Sequence, residues 1–281
     1  MQLVFLLISL LWTAVWWAIA WSRIPILTDY SFFPLWIGYI LMLNATSEVF
    51  FCDSLLRKMR GSFVWLFIVS IPLWWSFEYL NLVVQNWHYL YLPISQLHYI
   101  LQSSVDFSIV VPAMLSTTFF FQRLLQRRIG GRKYRPFVIN SNYLILSVLC
   151  GVIFLCLTLS FPHEMFPLIW IAPFLILDPI NYVSGFPSLL RNIERGRWLI
   201  PLSVMIATLF NGFWWEMWNF YTFPKWFYTI PYVGFWKIFE MPLLGYGGYL
   251  FFGLIVWSYA ALVLSISRNT VSKGLFDEQT G

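Results

Sequence analysis

The stretch FEYLN at residues 77–81 returns as WEMWN at residues 215–219, so each copy holds a Glu and, three residues later, an Asn. An aromatic triplet follows each copy, WHY at residues 87–89 and WFY at residues 226–228, and a proline stands twelve residues after each Asn. Similarity at a nearly constant separation indicates an internal repeat. These two stretches therefore predict that the chain is built from two similar halves.

The similarity continues towards the N-terminus of both halves. Three shorter matches keep almost the same separation, and they are FPL (33–35 and 166–168), SLLR (54–57 and 188–191) and RG (60–61 and 195–196). Because the separation drifts by only a few residues, insertions between the copies are few and short. We expect tandem repeats in which equivalent side chains occupy equivalent places.

The composition predicts that these repeats lie in a membrane. Of 281 residues, 60% are apolar, 21% are aromatic and 10% are charged, whereas soluble proteins carry about 25% charged residues. The formal net charge is +5, but the basic residues stand in a few short loops rather than along one solvated face. We therefore expect an integral membrane protein and no nucleic-acid partner.

A membrane-spanning helix needs about 20 mostly apolar residues, and eight stretches meet that requirement. They are residues 2–21, 32–51, 62–83, 99–121, 143–162, 165–183, 198–220 and 238–266. Each half holds four of them, and an even number gives both halves the same orientation. The predicted fold is an all-α integral membrane protein with eight transmembrane helices as two parallel tandem repeats of four.

The boundaries between the parts of the chain follow from these spans. The predicted parts are a first four-helix membrane repeat (1–122), a basic cytoplasmic linker (123–141), a second four-helix membrane repeat (142–267) and a cytoplasmic tail (268–281). Parallel repeats usually pack about an axis along the membrane normal, with any binding site near their interface. We therefore expect a site where the two halves meet.

The distribution of Lys and Arg predicts the orientation, because cytoplasmic loops carry the excess of positive charge. Most basic residues follow the second, fourth and sixth spans or lie in the tail: Arg57, Lys58, Arg60, Arg123, Arg127, Arg128, Arg132, Lys133, Arg135, Arg191, Arg195, Arg197, Arg268 and Lys273. Only Arg23, Lys225 and Lys237 fall on the other side. We expect a multi-pass protein of the cell (cytoplasmic) membrane with both termini in the cytoplasm.

Two glutamates at equivalent places are the strongest candidates for chemistry. A charged residue at the centre of a membrane helix costs about 2.5–3.5 kcal/mol on insertion scales, so an acid retained there suggests a function. Glu78 and Glu216 lie towards the outer ends of the third and seventh spans, and Asn81 and Asn219 follow on the same helix faces. One carboxyl from each half would then point at a shared cavity, oriented by its Asn.

Three further acids in or beside predicted spans are candidates. Asp106 and Glu240 form a looser pair in the fourth and eighth spans, 134 residues apart. Asp178 in the sixth span is matched by Asn44 in the second, and Pro179 follows it. Because a proline frees backbone groups that need new partners, Asp178 is either a site residue or a structural one. The same two interpretations apply to Asp106.

Aromatic side chains crowd around the two glutamates. The predicted substrate-binding residues are Tyr79, Trp215, Trp218, Trp226 and Tyr228, together with Asn81 and Asn219. Aromatic faces of this kind stabilise a cation. Trp and Tyr also collect at membrane interfaces, so an interfacial belt is the alternative for most of these rings, except those that share a helix face with a glutamate.

The sequence predicts neither a metal nor a cofactor. The three cysteines and the three histidines lack the spacing of metal ligands. The serines have no His and Asp at a spacing typical of a nucleophilic triad. Chemistry in this chain is therefore expected to come from the intramembrane acids.

The segment from residue 215 to residue 252 resembles a known family. WEMWN, WFY, EMPLL at residues 240–244 and YLFF at residues 249–252 resemble the membrane-embedded lycopene cyclases of the heterodimeric or fused type. That resemblance implies tandem helical repeats, an isoprenoid or carotenoid substrate and a cyclisation started by a carboxylic acid. Leu244 and Gly245 stand where that family places paired acids, so Glu216 or Glu240 would have to supply the proton.

We therefore expect a lycopene or terpene cyclase-like membrane isomerase that cyclises or isomerises a lipid-soluble isoprenoid or carotenoid. The catalytic candidates are Glu78, Asp106, Asp178, Glu216 and Glu240. The alternative is a non-enzymatic transporter or lipid-binding protein that uses the paired Glu and Asn, and a structural subunit is a third. The expected partners are a hydrophobic substrate and membrane lipids, while the oligomeric state stays open.

Overall fold

The computed structural model describes residues 2–91 and 93–267, and these residues are mostly α-helical. The tail at residues 268–281, predicted to be cytoplasmic, lies outside the described residues. The helices are α1 (Gln2–Ser22), α2 (Phe32–Phe51), α3 (Leu55–Met59), α4 (Val64–Val84), α5 (Gln96–Phe107), α6 (Val110–Ile129), α7 (Ser141–Ser160), α8 (Pro162–Met165), α9 (Ala172–Val183), α10 (Leu189–Glu194), α11 (Leu199–Tyr221) and α12 (Tyr246–Ile266). Short 3-10 helices stand at Thr28–Tyr30, Arg60–Phe63, Phe166–Trp170 and Leu243–Gly245.

Seven helical segments in the described ranges are long and apolar enough to cross a membrane. They are Gln2–Ser22, Leu55–Val84, Gln96–Ile129, Ser141–Ser160, Pro162–Val183, Leu199–Tyr221 and Leu243–Ile266. Inside a bilayer a helix satisfies every backbone hydrogen bond within one segment, which is why apolar runs of this length become helices. The helical class and the membrane location predicted from composition are thereby confirmed.

The count of eight spans is not confirmed. The predicted second span forms α2, but its C-terminal half contains Asn44, Thr46, Ser47 and Glu48, and this helix is not among the seven. Glu48 at the end of α2 accepts hydrogen bonds from Ser54 at 2.8 Å and Arg57 at 3.3 Å. The C-terminal end of α2 is therefore polar and contacts the basic loop that follows it.

The predicted fourth span is broken between α5 and α6. The Ser70 hydroxyl of α4 donates to the Phe107 carbonyl at 2.6 Å and accepts from the Val111 amide at 3.1 Å. Backbone groups freed in a membrane helix need such partners. One serine therefore holds both ends of the break, and α5 is separated from α6 without exposed backbone.

Two short helices begin in the same way. Ser54 caps α3 by accepting a hydrogen bond from the Arg57 amide at 3.1 Å, and Ser188 caps α10 by accepting one from the Arg191 amide at 3.3 Å. A serine at this position satisfies an amide that the helix leaves without a partner. The two SLLR matches thus form helix N-termini of the same kind.

The core lies around α6, α11 and α12. The segment that contains α6 is the most buried of the seven, since 72% of its most apolar stretch lies inside the protein. Helix α6 packs against α2, α4 and α11. Helix α12 packs against α9 and α11. A Cβ atom at Gly253 would lie 1.9 Å from Thr208 Oγ1, so the missing side chain lets α11 and α12 approach closely.

Two short antiparallel sheets interrupt the predicted all-α fold. Strand β1 (Trp87–Leu90) pairs with β2 (Lys225–Tyr228), so the two aromatic triplets lie side by side. Strand β3 (Lys237–Ile238) pairs with β4 (Met241–Pro242). The predicted eighth span was wrong at its start, because this hairpin occupies residues 237–242 and the apolar segment begins at Leu243.

Candidate functional site

A cavity of about 530 Å³ lies against the β1–β2 sheet and is lined by α4, α5, α11 and α12. Six tryptophans line it: Trp74, Trp87, Trp170, Trp215, Trp218 and Trp226. Ligand cavities in proteins usually measure about 300–1,000 Å³ and are mostly apolar with a few polar groups. Size and lining therefore fit a small apolar or amphipathic molecule.

Glu216 is completely buried behind two tyrosines of the cavity wall. Its Oε1 atom accepts hydrogen bonds from the hydroxyl groups of Tyr228 and Tyr249, both at 2.6 Å. Its Oε2 atom is buried and has no hydrogen-bond partner among the described residues. The carboxyl group thus fixes two phenols that face the cavity, while it does not itself line the cavity.

Tyr249 reaches Glu216 because α11 carries a glycine at the crossing point. A Cβ atom at Gly212 would lie 2.5 Å from Tyr249 Cδ2, closer than real Cβ contacts. Gly212 stands one helical turn before Glu216, so both share one face of α11. The glycine leaves the space that the Tyr249 ring occupies.

Glu78 has a similar arrangement in the first half of the chain. Its Oε1 atom accepts hydrogen bonds from Trp74 Nε1 at 2.8 Å, Trp87 Nε1 at 3.1 Å and the Tyr89 hydroxyl at 2.6 Å. All three donors belong to residues that line the cavity. Glu78 itself is half-buried and stands outside the wall.

Burial keeps the tyrosines of the sheet protonated. Removal from water raises the pKa of Tyr89 and of Tyr228 well above the ordinary value of 10.0, and the carboxyl groups of Glu78 and Glu216 raise them further. A phenol that holds its proton remains a hydrogen-bond donor to a carboxyl oxygen. Both strands therefore present fixed phenols to the cavity.

Asn81 and Asn219 form hydrogen bonds with the strands, whereas the sequence predicted that they orient the glutamates. Asn81 Nδ2 donates to the Trp87 carbonyl at 2.7 Å, and its Oδ1 accepts from the Asn86 amide at 2.9 Å. Asn219 Nδ2 donates to the Trp226 carbonyl at 2.8 Å, and its Oδ1 accepts from the Trp226 amide at 2.9 Å. Each Asn thus acts on its Glu indirectly, by fixing the strand whose ring binds that carboxyl.

Asp106 is the predicted catalytic acid that lines the cavity. It lies one residue before the end of α5. Phe107 beside it packs 5.9 Å from Trp74, measured between ring centroids. The structure therefore brings this acid together with the aromatic wall.

Glu240 lies outside the cavity wall and outside the last helix, contrary to its predicted place in a span. It stands between β3 and β4 and forms an ion pair with Lys225, which does line the cavity. Lys225 also donates to the Phe220 carbonyl at 3.2 Å. The carboxyl group thus neutralises a lysine of the wall instead of facing the substrate space.

Asp178 has a structural role in this fold. Its side chain is completely buried. Its Oδ1 atom accepts hydrogen bonds from the Leu189 amide at 3.0 Å and the Ser258 hydroxyl at 2.9 Å. Its Oδ2 atom accepts hydrogen bonds from the Ser188 hydroxyl and the Leu190 amide, both at 2.8 Å. A carboxylate at the N-terminus of a helix binds free amides and the positive end of the dipole. Asp178 therefore anchors α10, and it does not line the cavity.

Four of the five predicted aromatic residues line the cavity: Trp215, Trp218, Trp226 and Tyr228. The fifth, Tyr79, does not line the cavity. Its side chain is 74% exposed, because one residue along a helix turns the side chain about 100° away from the face of Glu78. A phenol on the outer surface of α4 does not contact a molecule in the cavity.

Sequence reasoning missed many residues of the wall, among them Tyr249 and Trp170. Tyr249 binds Glu216 although 33 residues separate them in the chain. Trp170 stacks on Phe77 with ring centroids 5.4 Å apart. Neither contact repeats at helical or strand spacing, so no local pattern reveals it. The YLFF match begins at Tyr249 and was the one available signal.

Comparison with protein-family models, curated proteins and solved structures gives no match to this chain. In the described part of the chain, no group of three or more His, Cys, Asp and Glu side chains is arranged to hold a metal ion. Function therefore has to be inferred from the cavity and the side chains around it.

Proposed function

We propose that the protein is a membrane enzyme that cyclises or isomerises a lipid-soluble isoprenoid or carotenoid, starting with proton transfer from a carboxylic acid. The proposal rests on one observation, the position of Asp106 in the wall of an aromatic cavity of about 530 Å³. An ionisable residue inside a membrane protein is by default a functional candidate. In this proposal Asp106, rather than Glu216 or Glu240, is the group that contacts the substrate.

The reaction needs no co-reactant. Protonated Asp106 gives its proton to one carbon of a substrate double bond, whose π electrons form the new C–H bond and leave a cation on the other carbon. In cyclisation, the π electrons of a second double bond attack this cation and close a ring. A carbon beside the final cation then loses a proton to the Asp106 carboxylate, which restores both the acid and a double bond.

The aromatic wall stabilises the cation in this scheme. Trp74 and Trp215 are stacked with ring centroids 5.7 Å apart and line the same cavity as Asp106. Aromatic faces attract a cation by about 0.5–2 kcal/mol each. The phenols of Tyr228 and Tyr249, which also line the cavity, are held in place by their hydrogen bonds to Glu216.

We also propose that the chain consists of two parallel repeats of four helices, with α2 as a spanning helix. The register of the β1–β2 sheet supports this layout, since His88 lies opposite Phe227 and the flanking Trp of each strand lies opposite the Tyr of the other. That register is the one produced by a local two-fold axis through the sheet. The helix packing supports it too, because α1 packs on α2 as α7 packs on α9.

We propose the cell membrane as its location, with the basic loops and both termini in the cytoplasm. Contacts between these loops support a common end of the bundle, because Asp53 binds both Lys58 and Arg123. The Tyr134 amide donates to the Gly196 carbonyl at 2.9 Å, which connects the loop after α6 to the loop after α10. Positive loops gathered on one side are typical of cytoplasmic loops.

The experiment is product analysis in cells that accumulate linear isoprenoids, including lycopene. The parent chain is compared with Asp106→Asn and with Glu164→Gln, a control acid whose side chain is 54% exposed. We expect a cyclic or rearranged isomer with the parent and the control, and none with Asp106→Asn. Unchanged isoprenoids in all three strains would overturn the enzymatic proposal, and co-purification of an unaltered lipid would then favour the lipid-binding alternative.

A further inference from the structure

The two sides of the cavity differ in chemistry. The lining residues from the first half of the chain include six polar ones, Thr28, Asp29, Ser31, Tyr91, Gln102 and Ser103. Most lining residues from the second half are apolar, among them Phe166, Pro167, Trp170, Ile230, Val233 and Leu244. We call these sets the polar wall and the apolar wall. A hydrocarbon with the same chemistry at both ends would gain no binding energy from having one polar and one apolar wall.

Hydrogen bonds connect three residues of the polar wall, Asp29, Tyr91 and Gln102. Gln102 Nε2 donates to the Asp29 carbonyl at 2.5 Å, and the Tyr91 hydroxyl donates to Gln102 Oε1 at 2.6 Å. His98 Nδ1 lies 3.0 Å from the same hydroxyl group. Because linked hydrogen bonds fix one another, the wall offers its donors and acceptors at set positions.

The acid belongs to the polar wall. Asp106 follows Gln102 and Ser103 by four and three residues on α5, so the three side chains share one face of that helix. A substrate group held by Gln102 or Ser103 therefore lies within one helical turn of the proton donor. Binding at this wall and chemistry at Asp106 involve the same end of the molecule.

The apolar wall is a continuous surface with room beside it. A Cβ atom at Gly248 would lie 3.7 Å from the Trp170 ring, whereas one at Gly245 would lie 2.4 Å from Met241 Sδ, so Met241 fills the space at Gly245. A Cβ atom at Gly247, between them, would meet nothing within 4 Å. The first turn of α12 thus leaves space for an apolar chain at Gly247, which lines the cavity.

Resting on the proposed function, we propose that the substrate is an isoprenoid with a neutral hydroxyl group at one end, bound by the polar wall, and a hydrocarbon chain against the apolar wall. A hydrocarbon alone would strip water from the polar wall without replacing its hydrogen bonds, which disfavours binding. A hydroxyl group both donates and accepts, and the wall supplies partners for either role.

The charges of the wall argue against a prenyl phosphate. Asp29 and Asp106 both line this side, and neither brings a positive charge to it. Lys225 is the one cation that lines the cavity in residues 2–91 and 93–267, and it already binds Glu240 and the Phe220 carbonyl. A phosphate group would thus meet two carboxyl groups and a lysine that is already neutralised.

The test is equilibrium displacement of radiolabelled geranylgeraniol from the purified full-length protein in detergent. The competitors are unlabelled geranylgeraniol, the hydrocarbon of the same chain and geranylgeranyl diphosphate. We expect the alcohol to bind about tenfold more tightly than the hydrocarbon, because its hydroxyl group adds one to two net hydrogen bonds. We also expect the alcohol to bind more tightly than the diphosphate. Equal affinity of alcohol and hydrocarbon, or tighter binding of the diphosphate, would overturn the proposal.

Variants of the two walls make the test specific. Gln102→Leu, or the smaller change Ser103→Ala, should lower the affinity for the alcohol about fivefold and leave the affinity for the hydrocarbon unchanged. Val233→Ala on the apolar wall is the matched control and should weaken both ligands to the same extent. If both polar-wall variants leave the affinity for the alcohol unchanged, its hydroxyl group does not bind there.

This measurement separates the two proposals because it requires no turnover. Selective binding of the alcohol without any isomeric product would keep the substrate class and reject the reaction. Isomer formation from a hydrocarbon, combined with equal binding of both ligands, would keep the reaction and reject the hydroxyl group.

Discussion

The hydroxyl group of Tyr228 donates a hydrogen bond of 2.6 Å to Oε1 of Glu216. Tyr228 belongs to strand β2 and Glu216 to helix α11, and Tyr249 of α12 donates to the same oxygen at 2.6 Å. One carboxyl group therefore joins a strand and two helices at the wall of the cavity. Changes to any of these three groups should alter the wall first.

The substitution Gly212→Ala should displace Tyr249 from Glu216, since the new methyl group would lie 2.5 Å from Tyr249 Cδ2. Overpacking of this kind typically costs about 1–3 kcal/mol. We expect a lower thermal unfolding midpoint in detergent and reduced turnover. Gly61→Ala is the control, because a Cβ atom there meets nothing within 4 Å. Equal midpoints for the two variants would mean that the Tyr249 ring does not occupy this space.

Glu216→Gln and Tyr249→Phe should act as one unit. In our account Glu216 orients phenols and does not protonate the substrate, so each single change should lower turnover by about tenfold, the scale of one cation–aromatic or dipole contact. The double variant should lose little more than either single variant. Complete inactivity of Glu216→Gln in a folded protein would instead identify Glu216 as the proton donor.

Asp178→Ala should destabilise the fold and leave the chemistry of the folded protein intact. The change leaves two backbone amides of α10 and two serine hydroxyls without their acceptor. Unsatisfied buried donors cost about 1–3 kcal/mol each. Thermal unfolding and turnover per folded molecule, measured together, check this. A folded variant of normal stability that lacks turnover would return Asp178 to the list of catalytic residues.

Alkaline pH should reveal the buried phenols. The raised pKa values of Tyr89 and Tyr228 mean that the folded state keeps protons that the unfolded state loses near pH 10. Their contribution to stability is therefore complete below about pH 10 and falls as pH rises above it. In an absorbance titration of the folded protein at 295 nm, Tyr228→Phe should show the same rise near pH 10 as the parent, because Tyr228 does not ionise there in the folded state. A smaller signal near pH 10 in that variant would contradict the assigned burial.

Apolar length and composition predicted most of the helices, because a membrane segment has few other ways to satisfy its backbone. The β1–β2 sheet was not predicted, and the reason is physical. The segments that form β1 and β2 are four residues each and lie far apart in the chain, so neither shows that the other is its partner. Only the repeat suggested that the two aromatic triplets are related.

The site was predicted to the extent that it follows helical spacing. Trp215 and Trp218 stand on one face of α11 and both line the cavity. Tyr79 follows Glu78 directly in the sequence, but consecutive residues of a helix point in different directions, and its side chain is exposed. The link between Glu216 and Tyr249 depends on two helices crossing at Gly212, which only the packed structure reveals.

The most direct test of the central claim, that Asp106 protonates an isoprenoid in this cavity, is turnover by the purified protein in D₂O. A linear isoprenoid alcohol and lycopene serve as substrates, and products are analysed by mass spectrometry. The half-buried Asp106 carboxyl group exchanges the proton that it takes from the product for solvent deuterium before the next turnover. The account therefore predicts an isomer with one deuterium bound to carbon for each ring or shift, and no isomer from folded Asp106→Asn. Product without deuterium, or full turnover by Asp106→Asn, would contradict it.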